Sequence, residues 1–304
     1  LQTICDIDPD KVKDFQDKLK VKGYISYKEM IQKEKLDFII IATPHATHKE
    51  IIEEAAKKGI HILKEKPFAG NLHDAIFIKE LCEKNNIQLM VTLQRRFNPI
   101  YTSFFQLLSQ IGKISLIEMK YTFFVNNPHN GWRGKKETAM GGCILDMGYH
   151  MIDMLLWYFG LPDGVYAEFS PIITKEDKEK IELEDQALIL FEYKDNLKGS
   201  LILSRYYSPK TEYIKVIGNN GIIEVERGKI VRSTNDGKIV ESLTRENAWP
   251  TAATSQLDLF YNMITGENTK FNVPINYIEH MMLIESCYLS NRKCKKINPH
   301  DLIK

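Results

Sequence analysis

Hydrophobic and polar positions in the first third of the chain alternate between short apolar runs and longer amphipathic stretches. Apolar runs end near residues 7, 43, 65 and 93, and the run at 37–43 (DFIIIAT) is rich in β-branched residues. Such a run is typical of a parallel strand covered on both faces. Between the runs, apolar residues such as Ile51, Ile52 and Ala55 recur at helical spacing. This alternation predicts a doubly wound parallel sheet and an α/β dinucleotide-binding domain over residues 1–95.

From Gly112 onward the period shortens to two, which is typical of half-buried strands. Six alternating segments predict strands at 115–124, 165–169, 186–193, 198–206, 213–218 and 222–225. Short Gly, Asn and Asp turns separate several of them, as at 194–196 and 218–221. Helical patterns appear at 99–110, 141–159, 254–265 and 277–291. Residues 96–304 are therefore predicted to form an α+β substrate-binding and oligomerisation domain on a mostly antiparallel open sheet.

Charge and cysteine content narrow the class of protein. The 41 basic and 40 acidic side chains leave a net charge of +1, which does not favour nucleic acid or an anionic membrane as partner. The five cysteines are scattered without a CxxC pair, which favours a reducing compartment over a disulfide framework or a zinc cluster. The apolar runs fall far short of the ~20 residues that a membrane helix needs. We expect a soluble cytoplasmic protein without a bound metal.

An acidic residue ends the first strand. In dinucleotide-binding folds, an Asp or Glu at the end of the second strand binds the adenosine ribose, about 20 residues after a GxGxxG turn. Asp6 fits that acidic position, but no GxGxxG precedes it in the printed sequence. We therefore expect that a first strand, glycine turn and first helix are missing from the chain as printed.

Glu65-Lys66-Pro67 follows the strand that ends near residue 65. Ligands of open α/β sheets bind just beyond the carboxyl ends of the strands, so a cation here would face the cofactor crevice. The ammonium of Lys66 would favour the alkoxide that develops while a bound alcohol loses hydride. The alternative is a surface lysine before a turn.

A second candidate motif is the run GGCILDMGYHMID at residues 141–153. On an α-helix, Asp146, His150 and Asp153 would share one face at spacings of four and seven residues. A carboxylate one turn from an imidazole orients the ring and tunes its proton affinity, as a general base requires. The alternative is a polar stripe on a buried helix with His150 as a core histidine.

Two further segments carry weaker signals. The turn Thr43-Pro44-His45-Ala46-Thr47-His48 also follows a strand end, and its two histidines lack a third ligand for a metal. Contact with a nicotinamide ribose, or helix capping by Thr47, is the favoured interpretation. The pairs Arg95-Arg96 and Trp132-Arg133 suit carboxylate or polyol contacts, with surface ion pairs as the alternative.

Taken in order, these motifs resemble the Gfo/Idh/MocA family, named for glucose–fructose oxidoreductase and inositol dehydrogenase. The resemblance covers the chain through the acidic strand end, the TPxxxH turn, the EKP tripeptide, Arg95-Arg96-Phe97, Trp132-Arg133, the GGxxLDxGxHxxD run and the hairpin at 218–221. It implies a Rossmann domain followed by an open-sheet domain that packs against a partner's sheet in a homodimer or homotetramer.

The resemblance also implies residue roles. Lys66 would lie near the nicotinamide and the reacting carbon, and Asp146 and His150 would bind and deprotonate the substrate hydroxyl. The cofactor side would include Asp6, which favours NAD over NADP, together with Thr43, Pro44, His45, His48, Glu65, Lys66, Pro67 and Arg96. The substrate side would include Lys66, Asp146 and His150. Trp132, Arg133, Tyr206 and Arg205 are guesses for the same pocket. Position 45 is histidine where many relatives carry asparagine.

The resulting hypothesis is an NAD-dependent oxidoreductase that removes hydride from a secondary hydroxyl of a sugar, polyol or inositol-like substrate. Two alternatives remain open at this point. One is an enzyme that uses bound NAD transiently, for sugar elimination or glycoside cleavage. The other is a non-catalytic regulator that binds sugar and NAD.

Overall fold

A computed structural model describes residues 1–171, 183–206, 208–245, 248–267 and 275–303 of the chain. The strands are β1 Thr3–Cys5, β2 Lys22–Tyr24, β3 Phe38–Ile41, β4 His61–Lys64, β5 Leu89–Val91, β6 Ile114–Thr122, β7 Gly164–Ser170, β8 Gln186–Glu192, β9 Lys198–Ser204, β10 Thr211–Gly218, β11 Gly221–Glu226, β12 Lys229–Ser233 and β13 Ile239–Thr244. The α-helices are α1 Pro9–Leu19, α2 Tyr27–Lys33, α3 His48–Lys57, α4 Leu72–Lys84, α5 Pro99–Leu108, α6 Lys136–Ala139, α7 Tyr149–Phe159, α8 Ala248–Thr265 and α9 Tyr277–Lys293.

The first third of the chain folds as the α/β pattern predicts. β1 pairs in parallel with β2, and β3, β4 and β5 form a parallel sheet in that order. Helix starts coincide with side-chain caps: Asp8 accepts hydrogen bonds from the backbone at α1, Ser26 at α2 and Asn71 at α4. Gly59, at φ +70°, follows the end of α3, where a left-handed backbone favours glycine. The predicted α/β class is therefore confirmed.

One face of the three-stranded sheet departs from the sequence prediction. Residues 37–43 were expected to be covered on both faces, but Phe38 is 42% and Ile40 is 57% exposed. Leu63 of β4 and Met90 of β5 point to the same face and are buried in a small core with Phe260 of α8. Thus α8, which comes late in the chain, covers this face over β4 and β5 but only partly over the edge strand β3.

The second part of the chain folds around an eight-stranded sheet with the order β13-β12-β11-β10-β6-β9-β8-β7. Every neighbouring pair is antiparallel except β6 and β9, so the predicted mostly antiparallel sheet is confirmed. The turn at 218–221 joins β10 to β11, with Gly218 paired to Gly221. β12 and β13 were not predicted. Most of β13 is exposed on both faces. Its sequence therefore has no need of the apolar–polar alternation by which a half-buried strand is recognised. Within the described residues, no helix is long and apolar enough to span a membrane.

A buried cluster of charges joins the parallel sheet to the helices of the second part. Arg96 lies in the 3₁₀ turn Gln94–Phe97 after β5, and its Nε and Nη2 donate to the Asp153 carboxylate of α7 at 2.9 and 2.7 Å. His280 of α9 lies 2.8 Å from the same carboxylate. All three side chains are at least nine-tenths buried, so the alternative of a surface ion pair is wrong for Arg96.

We expect Asp153→Leu to lower the free energy of unfolding by about 3–5 kcal/mol, because it leaves the buried guanidinium of Arg96 without its counter-charge. Adding Arg96→Met should restore part of the loss. Urea unfolding monitored by circular dichroism measures both variants. Glu83→Leu is the control, since the Lys79–Glu83 pair is exposed and should contribute less than about 1 kcal/mol. An equal cost for Asp153→Leu and Glu83→Leu would contradict the prediction.

Candidate active site

A cavity of about 480 Å³ opens between the turn after β4 and the eight-stranded sheet. Its size lies in the range of small-molecule sites, roughly 300–1,000 Å³. Its wall brings together several predicted site residues with residues from the loop after β6. The lining consists of Lys66, Tyr121, Phe123, Val125, Asn127, Pro128, Asn130, Arg133, Asp146, Met147, His150 and Arg205.

The centre of the cavity wall is the ion pair of Lys66 and Asp146. The ammonium of Lys66 donates to the Asp146 carboxylate and, at 2.9 Å, to the Asp146 carbonyl oxygen. Arg133 donates from Nε to the other carboxylate oxygen at 3.3 Å. The Lys66 side chain is only 14% exposed, so the surface-lysine alternative is wrong. Burial raises the pKa of Asp146, but the two cations outweigh burial and hold the pKa below its usual value.

Asp146 does not lie on a regular α-helix. Residues Ile144–Gly148 form a single π-helical turn, in which Gly148 N donates to Cys143 O five residues earlier at 2.7 Å, and α7 follows directly. The wider turn alters the spacing that an α-helix would give. Asp146 consequently points to Lys66 while Asp153 points away to Arg96. The predicted single face with Asp153 on it is wrong, although Asp146 and His150 do line one cavity.

Glu184 fixes the start of this segment. Its carboxylate accepts hydrogen bonds from Gly142 N and Ile144 N, both at 3.0 Å, and from the Tyr288 hydroxyl at 2.8 Å. A side chain at position 142 would overlap the Glu184 carbonyl oxygen, so glycine is needed there. Sequence reasoning missed Glu184. The available signal was an acidic pair, Glu184 and Asp185, directly before a predicted buried strand.

His150 lines the cavity one turn into the helical segment. Burial lowers the pKa of its imidazole well below the ordinary value, and the positive charges of Arg95, Lys66 and Lys210 lower it further. The ring is therefore neutral near neutral pH and available to accept a proton. Among the described contacts, the Asp146 carboxylate is held by Lys66 and Arg133, so the expected orientation of His150 by Asp146 is not observed.

A buried lysine that sequence reasoning overlooked supports the turn that carries Lys66. Lys64 is fully buried in β4, and its ammonium donates to the carbonyl oxygens of Pro67 and, at 2.9 Å, of Phe68. These bonds fix the backbone on the far side of Lys66. Burial lowers the pKa of Lys64 to about 7.

The remaining predicted substrate residues are divided. Trp132 lies beside the cavity lining: its ring meets the His45 ring edge-on at 4.8 Å, and the Arg133 guanidinium lies 4.2 Å from its centre. Tyr206 is exposed and pairs with the Phe124 ring at 6.0 Å, outside the cavity lining. Arg205 does line the cavity and donates from Nε to Asp185 at 2.6 Å.

The predicted cofactor residues all follow the ends of strands in the parallel part of the chain. Asp6 follows β1, is exposed, and accepts a hydrogen bond from Asp8 N at 2.9 Å. Glu65 and Pro67 flank Lys66 after β4. Arg96 also follows a strand, β5, but its guanidinium is held by Asp153 and it is not part of the cavity lining. No group of three or more His, Cys, Asp or Glu side chains in the described part of the chain is arranged to hold a metal ion.

Comparison with known families agrees with this architecture. Residues 1–93 match the oxidoreductase family with an NAD-binding Rossmann fold, and residues 109–224 match the GFO/IDH/MocA C-terminal domain. The chain belongs to the Gfo/Idh/MocA family. The predicted resemblance and fold class are thereby confirmed.

Individual members of the family are similar over part of their length. D-xylose 1-dehydrogenase (NADP(+)) 2 of Haloferax volcanii is 25% identical over 203 residues, which cover 66% of this chain and 60% of that protein. Glucose-6-phosphate 3-dehydrogenase of Bacillus subtilis is 28% identical over 222 residues, covering 68% and 61%. The chain thus spans about 60% of the length of these two relatives. The solved structure of levoglucosan dehydrogenase with NADH and levoglucosan superposes with a TM-score of 0.84 at 18% identity, over 98% of this chain and 89% of that one, which shows a common fold.

In this family member, the turn after β3 is built around two buried histidines. Nε2 of His48 lies 2.9 Å from the Thr43 carbonyl oxygen and must carry the proton to donate to it. Nδ1 of His48 is consequently a bare, buried nitrogen without a partner in the described structure. Nδ1 of His45 lies 2.9 Å from the Ala139 carbonyl oxygen, which ties the turn to α6. Thr47 was considered as a helix cap, but its hydroxyl bonds backwards to Thr43 and Pro44.

Burial lowers the pKa of His48 to about 3 and that of His45 to about 4. As the pH falls below about 6.5, these histidines become protonated in the unfolded chain but stay neutral in the folded chain. Their contribution to stability is therefore fully present above pH 6.5 and is lost progressively as the pH drops towards the pKa values of the folded chain. We expect His48→Gln to reduce the loss of unfolding free energy between pH 6.5 and 5 by about 2 kcal/mol, since each pH unit contributes about 1.4 kcal/mol per histidine.

Urea unfolding at several pH values measures the slope. His73→Gln provides the control, because the His73 side chain is 89% exposed and should leave the slope unchanged. If wild type and His48→Gln lost stability in parallel below pH 6.5, the buried-histidine explanation would be wrong.

Proposed function

We propose that the protein is an NAD-dependent dehydrogenase that oxidises a secondary hydroxyl of a sugar, polyol or inositol-like substrate. The observation that carries the proposal is the meeting of three groups at one small-molecule cavity: the Lys66 ammonium, the ionised Asp146 carboxylate and the neutral His150 ring. An alcohol that loses hydride needs a proton acceptor and a positive charge beside its oxygen, and this wall supplies both.

Each group has a distinct role in the proposed reaction. The nicotinamide ring, when bound, supplies the hydride acceptor. His150 accepts the hydroxyl proton, because its ring is neutral. Lys66 donates a hydrogen bond to the oxygen on which negative charge develops. Asp146 is ionised and fixes the position of the Lys66 ammonium, while Arg133 neutralises its second oxygen.

Membership of the family supports this class of chemistry. The two relatives described above are named for D-xylose and for glucose 6-phosphate, which are both carbohydrates with several hydroxyl groups. The two names give different substrates. The identity of the carbohydrate on which this chain acts therefore has to be inferred from the residues of its own cavity.

Asp6 and the turns after β3 and β4 suit the ribose and nicotinamide parts of a dinucleotide. We infer that the exposed carboxylate of Asp6 at the end of β1 would accept hydrogen bonds from two free ribose hydroxyls and would repel the additional phosphate of NADP. The turn with Thr43, Pro44 and His45 and the tripeptide around Lys66 would contact the nicotinamide half. The printed sequence contains no GxGxxG, so no residue is assigned to the diphosphate. Because the carboxylate of Asp6 favours free ribose hydroxyls over a phosphate, we assign NAD as the cofactor.

Lys66→Met and His150→Gln should each lower kcat by at least about 100-fold, the usual contribution of a positioned acid or base. The assay follows reduction of NAD, and in parallel of NADP, with a panel of sugars, polyols, inositols and sugar acids. Thermal unfolding verifies that the variants are folded.

Matched controls are Lys79→Met and His73→Gln, since both residues are exposed and neither belongs to the cavity lining. Wild-type turnover in the Lys66 and His150 variants would overturn the catalytic assignment, and a preference for NADP would overturn the role of Asp6. Substrate conversion without accumulation of NADH would replace the net dehydrogenase by transient use of the cofactor.

We also propose that the chain forms a homodimer or homotetramer through its eight-stranded sheet. On the face turned away from the helices, Leu188 and Leu190 of β8 are 58% and 57% exposed, and Ile202, which pairs with Leu188, is 36% exposed. Charged residues Lys120 and Glu168 lie in the neighbouring register positions. A cluster of exposed apolar side chains with a charged rim is typical of a protein interface.

Leu188→Asp should shift the protein to monomer, because it places a carboxylate inside the apolar cluster. Light scattering coupled to gel filtration measures the mass. Leu257→Asp is the matched control, since Leu257 is 50% exposed on α8 and lies outside this face. An unchanged mass in the Leu188 variant would exclude the sheet face as the interface.

A further inference from the structure

Arg205 has a donor that the chain leaves unused. The side chain follows β9, lines the cavity and is 96% buried, being 4% exposed. Its Nε donates to the Asp185 carboxylate at 2.6 Å, whereas Nη2 is buried and has no acceptor in the described structure. His129 lies 3.0 Å from the other Asp185 oxygen, so Asp185 is occupied from both sides. A buried cationic donor without a partner is unfavourable and calls for an acceptor that binds there.

The charges around the cavity are unbalanced. Three cations, Lys66, Arg133 and Arg205, belong to the lining. Asp146 in the lining compensates for one of them and Asp185 behind Arg205 for a second. One positive charge remains in excess, in a site where low dielectric strengthens its attraction for an anion.

The surroundings of His150 point the same way. After burial, the groups that depress the pKa of its ring are all cations: Arg95, Lys66 and Lys210. Lys210 lies at the rim, where its ammonium is 5.5 Å from the ring centre of Phe123, a lining residue. Lys66 and Lys210 therefore add positive charge near the His150 ring, whereas the charge of Arg95 is compensated by Glu212.

We propose that the substrate is a sugar acid whose carboxylate is bound by Arg205, a specificity that rests on the proposed dehydrogenase function and narrows its substrate class. Arg205 is part of the cavity lining, so its guanidinium can donate to a carboxylate bound there, and such a hydrogen bond is charge-assisted. As a monoanion the carboxylate matches the single excess positive charge, whereas a phosphate dianion would exceed it. The hydroxyl to be oxidised then faces Lys66 and His150 across the same cavity.

Calorimetric titration of the purified protein tests the assignment without requiring turnover. The probes are D-glucuronate, D-glucose and D-glucose 6-phosphate, which share a pyranose ring and differ at carbon 6. We expect D-glucuronate to bind at least about tenfold more tightly than D-glucose, as a charge-assisted bond to a buried donor would give. Arg205→Lys keeps the positive charge beside Asp185 but shortens the side chain and removes the planar fork. It should abolish most of the D-glucuronate preference while changing D-glucose binding less than about threefold.

Arg292→Lys on the exposed surface of α9 is the matched control and should leave the preference intact. Equal affinity for D-glucuronate and D-glucose, or a preference that survives in Arg205→Lys, would overturn the proposal. Tighter binding of D-glucose 6-phosphate than of D-glucuronate would overturn the carboxylate in favour of a phosphate.

An NAD reduction assay on the same samples separates the two proposals. Reduction of NAD with neutral sugars, combined with equal binding of neutral and acidic probes, would overturn the sugar-acid assignment. It would at the same time support the dehydrogenase function. Selective binding of D-glucuronate without reduction of NAD by any substrate of the panel would support the sugar-acid site and overturn the dehydrogenase function.

Discussion

The Asp153 carboxylate, buried between the guanidinium of Arg96 and the ring of His280, determines where α7 lies against the rest of the molecule. Arg96 comes directly after the last strand of the parallel sheet, and His280 lies in the penultimate stretch of the chain. Three distant parts of the sequence therefore have to come together before all of these polar groups are satisfied. Since an unpaired charge at this depth costs several kcal/mol, alternative placements of α7 are strongly disfavoured. The position of His150, three residues earlier on the same helix, follows from that constraint.

The cavity wall depends on a second set of supports that lie outside it. Glu184 holds the backbone at the start of the π turn, and Lys64 holds the backbone beyond Lys66. Both use buried charged or titratable side chains to bind backbone groups rather than other charges. Because the supports act on opposite ends of the Lys66–Asp146 pair, the ammonium and the carboxylate are brought together by the backbone and not by the flexibility of the lysine side chain. Such preorganisation is what electrostatic stabilisation of a reacting oxygen requires.

Local patterns in the sequence were sufficient for most elements and for the central residues of the site. Regular alternation predicted the strands at 186–193 and 198–206, and the strand-end rule placed Lys66 beside the cavity. The π turn could not be predicted, because it depends on tertiary contacts to Gly142 and Gly148 rather than on local propensity. Asp153 was predicted on the same face as Asp146 and His150 for a similar reason, since only the fold reveals Arg96 and His280 around it. Arg205 was no more than a guess, as its unused donor depends on side chains that are far away in the sequence.

The division of the polypeptide at residue 95 is a prediction about sequence, and the packing of α8 limits what such a division means physically. α8 begins more than 150 residues later, yet its Phe260 shares a buried core with Leu63 and Met90 of the parallel sheet. The parallel sheet thus borrows part of its interior from the other end of the polypeptide. Recombination between family members at the apparent boundary would separate the sheet from the helix that completes it. A viable chimaera would have to exchange the helix along with the sheet. These two distant segments should therefore be transferred together when the scaffold is engineered.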